Sequence, residues 1–238
     1  MAGRIALVGS GEYLPVLHEV EDWLFADNRR IYIQIATAAA PEGDARLGYW
    51  HDLGRRAAKR LDAQQVVIDV RTREDALDPR WGELIAEAGL IYLSGGNPRH
   101  LADTLRDTPT WHAIQDAWLR GAGLAGCSAG AMSLAGVIPD FRHPGSDPIQ
   151  GLEVVPGVSI LPHFDRYTRW MTALREHPDL AGDATLVGID EDTALVAEQP
   201  ADGAGEWAFS VRGRQGAYVV SGDESRRIGD DFRMRVNT

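Results

Sequence analysis

The sequence contains a single cysteine, Cys127, and lacks an apolar run long enough to cross a membrane. One cysteine excludes an intramolecular disulfide and any metal site built from several cysteines. A transmembrane helix needs about 20 consecutive apolar residues, and the short apolar run near the N-terminus ends in glycines, unlike the core of a signal peptide. We therefore expect a cytoplasmic protein that binds neither a membrane nor a metal.

Basic residues are also scarce, because 24 Lys and Arg stand against 35 Asp and Glu, which gives a net charge of −11. Nucleic acids attract basic surfaces, so nucleic-acid binding is not expected. The 238 residues are enough for one large α/β core. Since no repeat, low-complexity tract or long linker divides the chain, we predict a single α/β domain over residues 1–238.

Short apolar segments alternate with amphipathic ones over the first 135 residues. Segments that are apolar on both faces are typical of buried parallel strands. They are residues 4–9, 31–37, 65–70, 89–95 and 123–128. The alternation predicts a mostly parallel central sheet with helices on both faces, and such sheets carry their sites at the carboxyl ends of the strands.

The pattern changes after residue 137. Residues 137–151 are rich in Pro, Gly and Asp and are predicted to form a loop, and residues 166–180 have a helical pattern. Residues 184–199 and 206–222 are predicted to add C-terminal β-hairpin strands.

Residues 126–130, Gly-Cys-Ser-Ala-Gly, follow a predicted strand and precede a helical pattern. This is the context of a G-x-S-x-G nucleophile elbow, in which the residues two before and two after the nucleophile must be small. The glycines centre the frame on Ser128; a frame centred on Cys127 has alanines at both positions and fits less well. Ser128 is thus the predicted nucleophile and Cys127 a small core residue. The alternative is an ordinary strand-to-helix turn.

A nucleophilic serine needs a base, and the base needs a group that orients it. Of the seven histidines, His163 directly follows an apolar segment and is therefore expected at the sheet edge that carries Ser128. His143, in the predicted loop, is the second candidate. The carboxylates considered for orienting the base are Asp140, Asp147, Glu191 and Asp192.

Backbone amides must hold the oxyanion that forms when a carbonyl is attacked. Ala129, directly after the serine, offers one amide. Gly95 and Gly96, in the segment Ser-Gly-Gly-Asn-Pro, offer another, because glycine lets the backbone approach a ligand closely. Asn97 is a candidate for substrate binding, although together with Pro98 it is also typical of a helix N-terminus.

No cofactor is expected. Gly9 and Gly11 follow the first predicted strand, but Leu14 stands where a dinucleotide fingerprint has its third glycine. The second strand does not end in the acidic residue that such a site uses, and the sequence has neither a Walker A nor an H-E-x-x-H motif.

Five segments occur in a characteristic order: LVGSGE, YLSGGNP, GCSAGAMSL, LPHFDRYTR and GIDEDTALV. Through them the chain, from about residue 4 to residue 196, resembles the dipeptidase E and cyanophycinase family of serine peptidases. The resemblance implies the fold of class I glutamine amidotransferases, which is flavodoxin-like.

The resemblance also implies roles for individual residues. Ser128 matches the family's nucleophile and His163 its base, and Gly96 and Ala129 match the positions that supply the oxyanion amides. In the family an acidic residue between the serine and the histidine completes the triad, which makes Asp140 the expected third member and Asp147 the reserve.

The family cleaves bonds next to aspartyl residues, either in Asp-Xaa dipeptides or in the β-linked Asp–Arg polymer cyanophycin. The expected partner is therefore a small peptide or amide that carries a carboxylate, and a homodimer is a further expectation. An acidic protein repels such a substrate at long range, so the site needs local cations. Arg166 and Arg169 follow the predicted base, and Arg99 is a third candidate; arginine can bind a carboxylate through two hydrogen bonds.

Two other classes of function stay open. One is an amidotransferase-like binding or regulatory module that has kept the fold and lost turnover. The other is an α/β-hydrolase esterase, which is disfavoured because that fold places its histidine near the C-terminus and the last histidine here is His177. A glutamine amidotransferase would need cysteine where Ser128 stands.

Overall fold

The apolar segments of the first half form the parallel part of a sheet. The structure is a computed structural model that describes residues 3–140, 148–166, 181–199, 206–221, 224–229 and 232–235. The parallel strands are β1 (Arg4–Val8), β2 (Ile31–Ile35), β3 (Gln64–Val67), β4 (Leu90–Leu93) and β5 (Gly123–Cys127). They lie side by side in the order β1-β5-β4-β2-β3, and all four pairings are parallel.

Three strands from the C-terminal part extend this sheet beyond β1. They are β10 (Thr193–Glu198), β11 (Glu206–Gly213) and β14 (Phe232–Arg235). Each pairing from β1 through β10 and β11 to β14 is antiparallel. The central sheet is thus parallel on one side and antiparallel on the other, and β10 and β11 form one of the C-terminal hairpins.

Helices cover both faces of the central sheet, as predicted. They are α1 (His18–Phe25), α2 (Asp44–Arg60), α3 (Arg80–Ala86), α4 (Pro98–Leu105), α5 (Pro109–Leu119) and α6 (Ala129–Leu134). Short 3-10 turns occupy Pro15–Leu17, Thr37–Glu42, Asp75–Leu77 and Phe164–Arg166.

The alternation of side chains along the strands divides the core into two clusters. Ile5 and Leu7 of β1 pack with residues of α3, α4 and α5, whereas Ala6 and Val8 pack with residues of α1 and α2. Within the residues described, no helix is long and apolar enough to span a bilayer.

A second sheet was not predicted from the sequence. Its strands are β6 (Ala135–Ile138), β7 (Ile149–Gln150), β8 (Val155–Pro162), β9 (Thr185–Ile189), β12 (Ala217–Ser221) and β13 (Glu224–Arg227). They lie in the order β13-β12-β9-β8-β6-β7, and β6, β8 and β9 are parallel. Part of β6 and all of β7 fall in the segment predicted as a loop, because two short strands leave little periodic signal among its prolines and glycines.

The predicted C-terminal strands exist, but the chain changes sheets within both segments that were expected to fold back on themselves. β9 pairs with β8 and β12, whereas β10 pairs with β1 and β11. β11 and β12 likewise lie in different sheets. The turn between Ile189 and Thr193 therefore lies where the two sheets meet. The helix predicted over residues 166–180 falls, apart from Arg166, outside the described residues.

Candidate active site

The turn between β5 and α6 gives Ser128 a strained backbone. Its φ of 51° and ψ of −110° are rare for a residue with a side chain. A Cβ added to Gly126 would lie 2.5 Å from backbone atoms of Gly130, and one added to Gly130 would lie 2.3 Å from the carbonyl oxygen of Leu93. This backbone therefore requires both glycines of the frame, and it leaves the side chain of Ser128 partly exposed.

Cys127 is fully buried, in the cluster that packs beneath α1 and α2. Its thiol donates a hydrogen bond to Oε2 of Glu12 at 2.9 Å. Burial, and then the neighbouring Glu12 carboxylate, raise the pKa of Cys127 well above its usual range. The prediction of a small core residue is confirmed, and the group keeps its proton, whereas a nucleophilic cysteine must be a thiolate.

His163 lies beside the serine. It directly follows β8, and its Nε2 is 3.1 Å from Oγ of Ser128. Its Nδ1 is 2.9 Å from Oε1 of Glu191. Serine, imidazole and carboxylate thus form one hydrogen-bonded series, the arrangement in which a base is held between a nucleophile and the group that orients it.

Strand pairing explains how Glu191 reaches the imidazole. β8 and β9 run parallel with Pro162 next to Ile189, so the residues that follow the two strands lie side by side. Oε2 of Glu191 forms an ion pair with Nε of Arg166 at 2.7 Å. The Glu191 amide donates to Oδ1 of Asp165 at 2.8 Å. Both the backbone and the carboxylate of Glu191 are therefore held in place.

The structure differs from the expectation that Asp140 completes the triad. Glu191, one of the alternatives considered, occupies Nδ1 of His163, and a carboxylate oxygen of Asp140 lies 4.0 Å from Nη1 of Arg99. Asp140 follows β6 and Glu191 follows β9, which flank β8 on opposite sides. The order of residues along the chain does not reveal which flank supplies the carboxylate. Asp147 and His143 lie outside the described residues.

The loop after β4 carries the predicted oxyanion amides. The Gly95 amide donates to Oε1 of Glu12 at 3.2 Å and so is taken by a side chain, which corrects its prediction as an oxyanion donor. The amides of Gly96 and Ala129 have no hydrogen-bond acceptor among the described residues. These two amides are therefore available to a ligand.

The residues predicted to bind substrate mostly have partners within the protein. Oδ1 of Asn97 accepts a hydrogen bond from the His100 amide at 3.1 Å and caps α4, which confirms its structural interpretation. Arg166 pairs with Glu191. Nε of Arg99 is 3.7 Å from the Asp103 carboxylate, and Arg169 lies outside the described residues.

Comparison with known proteins bears on these observations. The model of peptidase family S51 matches residues 8–201. The chain belongs to peptidase family S51. This confirms the resemblance inferred from the five motifs, three of which contain Ser128, His163 and Glu191.

Curated relatives of this family S51 chain include two cyanophycinases. The enzyme of Geminocystis herdmanii is 29% identical over 192 residues, which cover 74% of this chain and 66% of the relative. That of Synechococcus elongatus is 30% identical over 204 residues, which cover 79% of this chain and 58% of the relative. The chain thus spans less than two thirds of the length of these relatives.

Solved structures show the same fold. A peptidase from an acI-B1 Actinobacterium matches with a TM-score of 0.85 and 39% identity, over 99% of this chain and 97% of that one. A putative peptidase E protein from Listeria monocytogenes EGD-e matches with a TM-score of 0.65 over 90% of this chain and 100% of that one, at 15% identity. The predicted α/β fold is therefore confirmed.

Proposed function

We propose that this family S51 chain is a serine peptidase or related amidohydrolase with Ser128 as nucleophile, His163 as base and Glu191 as the residue that orients the base. The proposal rests on one observation, the hydrogen-bonded series that joins the three side chains at 3.1 and 2.9 Å. Such a series is recognised by geometry and roles, whatever the order of its members in the sequence.

The proton positions follow from the two contacts of the imidazole. When Nδ1–H donates to Glu191, the lone pair of Nε2 faces the Ser128 hydroxyl. Ser128 Oγ attacks the carbonyl carbon while Nε2 takes its proton, and the same proton passes to the leaving amine as the amide bond breaks. Water then attacks the acyl-enzyme, again losing a proton to Nε2, and restores the serine.

The developing oxyanion is bound by the amides of Gly96 and Ala129. Ala129 directly follows Ser128, and Gly96 follows β4, the strand next to β5. Neither amide has a hydrogen-bond acceptor among the described residues. Amides that are preorganised at this position stabilise the negative charge that develops on the carbonyl oxygen in the transition state. They therefore accelerate the chemical step.

For the substrate we propose an amide next to an aspartyl residue, in an Asp-Xaa dipeptide or a cyanophycin-like polymer. The cyanophycinase relatives and the family motifs support this choice. A direct test is to incubate the purified protein with Asp-Xaa dipeptides, isoaspartyl dipeptides, cyanophycin and simple esters. Cleavage of esters alone would favour an esterase.

A fluorophosphonate probe separates an enzyme from a catalytically silent binding module. We expect it to label the wild-type protein at Ser128 and to leave Ser128→Ala unlabelled, because the probe reacts with an activated serine. Absence of labelling and of turnover on every substrate would contradict the proposed function.

We propose that Arg169 binds the substrate carboxylate. Arg169→Ala should lower kcat/KM for an Asp-Xaa substrate far more than for an uncharged analogue with the same scissile bond. Arg99→Ala is the matched control, because Arg99 already faces Asp103 and Asp140. Equal losses on the two substrates would mean that Arg169 does not bind the carboxylate.

A further inference from the structure

Glu12 lies in the turn after β1 and is only 7% exposed. Each oxygen of its carboxylate accepts one hydrogen bond, Oε1 from the Gly95 amide at 3.2 Å and Oε2 from the Cys127 thiol at 2.9 Å. β5 lies between β1 and β4. A single side chain thus connects the ends of three adjacent strands.

The two donors are the immediate neighbours of residues in the proposed site. Gly95 precedes Gly96, whose amide is a proposed oxyanion donor, and Cys127 precedes the nucleophile Ser128. The peptide units that carry the Gly95 and Gly96 amides share the Cα of Gly95, so a hydrogen bond that anchors the first unit limits the positions open to the second. Glu12 therefore acts on the relative position of the oxyanion loop and the serine without facing the substrate itself.

The packing around Gly95 places the same groups in contact. A Cβ added to Gly95 would lie 2.8 Å from Oε1 of Glu12 and 3.5 Å from Cβ of Ser128. Gly95 therefore lies close to both groups, and a side chain at this position would clash with the Glu12 carboxylate. Because Cys127 stays protonated, its thiol remains a donor to the second carboxylate oxygen.

Glu21, a second buried glutamate, lies in α1, and its carboxylate is stabilised in a different way. Glu21 is 1% exposed, pairs with Nη2 of Arg60 at 3.0 Å and accepts a hydrogen bond from the Tyr32 hydroxyl at 3.0 Å. Among the described residues Glu12 has no such ion pair with an arginine, a lysine or a histidine. Burying a carboxylate is costly unless its oxygens are hydrogen-bonded, and the donors that Glu12 uses are the two groups beside the site.

We propose that Glu12 is a positioning residue that holds the oxyanion loop against the nucleophile elbow through the Gly95 amide and the Cys127 thiol. This inference rests on the proposed function for its catalytic consequence. The hydrogen bond from the Gly95 amide to Glu12, on which the inference depends, can be tested without any substrate.

The kinetic experiment compares Glu12→Ala, Glu12→Gln and the control Glu21→Gln. We expect Glu12→Ala to lower kcat by about 10²–10³-fold with KM changed only a few-fold, the effect of losing one oxyanion donor. Glu12→Gln keeps an acceptor for the Gly95 amide and should recover kcat to within about tenfold of wild type. Glu21→Gln should leave kcat within about twofold, because it touches neither loop. An unchanged kcat in Glu12→Ala, or equal losses in the alanine and glutamine variants, overturns the proposal.

The structural experiment measures amide hydrogen exchange at Gly95 and needs no substrate. Exchange should accelerate by about tenfold or more in Glu12→Ala and stay near the wild-type rate in Glu21→Gln. Unchanged exchange at Gly95 overturns the inference whatever the kinetics. A wild-type protein that neither turns over nor reacts with fluorophosphonate, yet shows the Glu12-dependent exchange, contradicts the proposed function alone.

The thiol contact supplies a second pair of variants in case Glu12→Ala does not fold. Cys127→Ala removes one of the two donors and should lower kcat by about two- to fivefold, whereas Cys127→Ser keeps an O–H donor and should restore it. Serine and alanine variants that behave alike would show that the thiol does not help to hold the carboxylate.

Discussion

The two sheets contribute to the candidate site in different ways. The central sheet contributes Ser128 and the amides of Gly96 and Ala129, all set by tight turns after β4 and β5. The second sheet contributes His163, at the end of β8, and, at its junction with the central sheet, Glu191. The first group depends on neighbours in sequence, and the second depends on which distant strands pair.

The forces that fix the two groups also differ. Around Ser128 the constraints are steric, since added Cβ atoms at Gly126 and Gly130 would come within 2.5 Å of backbone. Around His163 they are hydrogen bonds and an ion pair between partly exposed side chains, Arg166 being 69% exposed. Substitutions that change side-chain volume should therefore have the larger effect around Ser128. Substitutions that change side-chain charge should have the larger effect around His163.

Ser128→Ala carries the largest expected effect. It should leave the fold intact and lower kcat/KM by a factor on the order of 10³ or more, because no other described group stands at the elbow. Cys127→Ala is the matched control one residue away and should retain activity within about fivefold. An inactive Cys127→Ala beside an active Ser128→Ala would reverse the assignment of the nucleophile.

Glu191→Gln tests the contribution of the second sheet. The substitution keeps the shape and removes the charge that orients the imidazole, so kcat should fall by about 10²–10⁴-fold. Asp140→Asn is the control and should stay within about tenfold of wild type, because Asp140 pairs with Arg99 instead of Nδ1. A greater loss of kcat in Asp140→Asn than in Glu191→Gln would support Asp140 as the third member of the triad, as the family resemblance implied.

Gly130→Ala tests the steric constraint on the central sheet. The new Cβ would lie 2.3 Å from the Leu93 carbonyl oxygen, and we expect the free energy of unfolding to fall by about 1–3 kcal/mol. Gly48, in α2, has no atom within 4 Å of an added Cβ. Gly48→Ala should therefore raise the free energy of unfolding by about 0.5–1 kcal/mol. Urea denaturation of the two variants measures both changes. Equal changes in the free energy of unfolding would show that the elbow is not tightly packed.

Arg166→Gln should have the smallest effect. Its pair with Glu191 is exposed to solvent, where such pairs are worth about 0–1 kcal/mol, so kcat should fall at most about fivefold. The fall should be equal for Asp-containing and uncharged substrates, since Arg166 pairs with the Glu191 carboxylate. Arg214→Gln removes an equally exposed arginine from Asp192 and should leave kcat unchanged. A loss confined to Asp-containing substrates would make Arg166 a substrate-binding residue after all.

What the sequence could predict follows this division between the sheets. The five parallel strands, the helices on both faces and the position of Ser128 were read from local patterns of apolar residues and glycines. The position of His163 followed from the same reasoning, because it directly succeeds an apolar strand.

The remaining parts of the site depend on contacts between distant segments. Glu191 reaches His163 only because β9 pairs with β8 and the chain then crosses to β10, and hairpin patterns do not reveal such a crossing. Gly95 was predicted to bind the oxyanion because glycine permits it, yet the Glu12 carboxylate takes its amide. In the sequence Glu12 is part of the glycine-containing motif LVGSGE, and its one signal is that it is an acidic residue in the turn after a buried strand.

The crossing of the chain between Ile189 and Thr193 has a consequence for synthesis. Ser128 leaves the ribosome well before Glu191, and Glu191 can lie beside His163 only when β9 is paired with β8. A nascent or truncated chain that ends before this crossing therefore carries an elbow without its complete proposed triad. A chain that lacks the residues after Ile189 is therefore expected to lack the proposed peptidase activity.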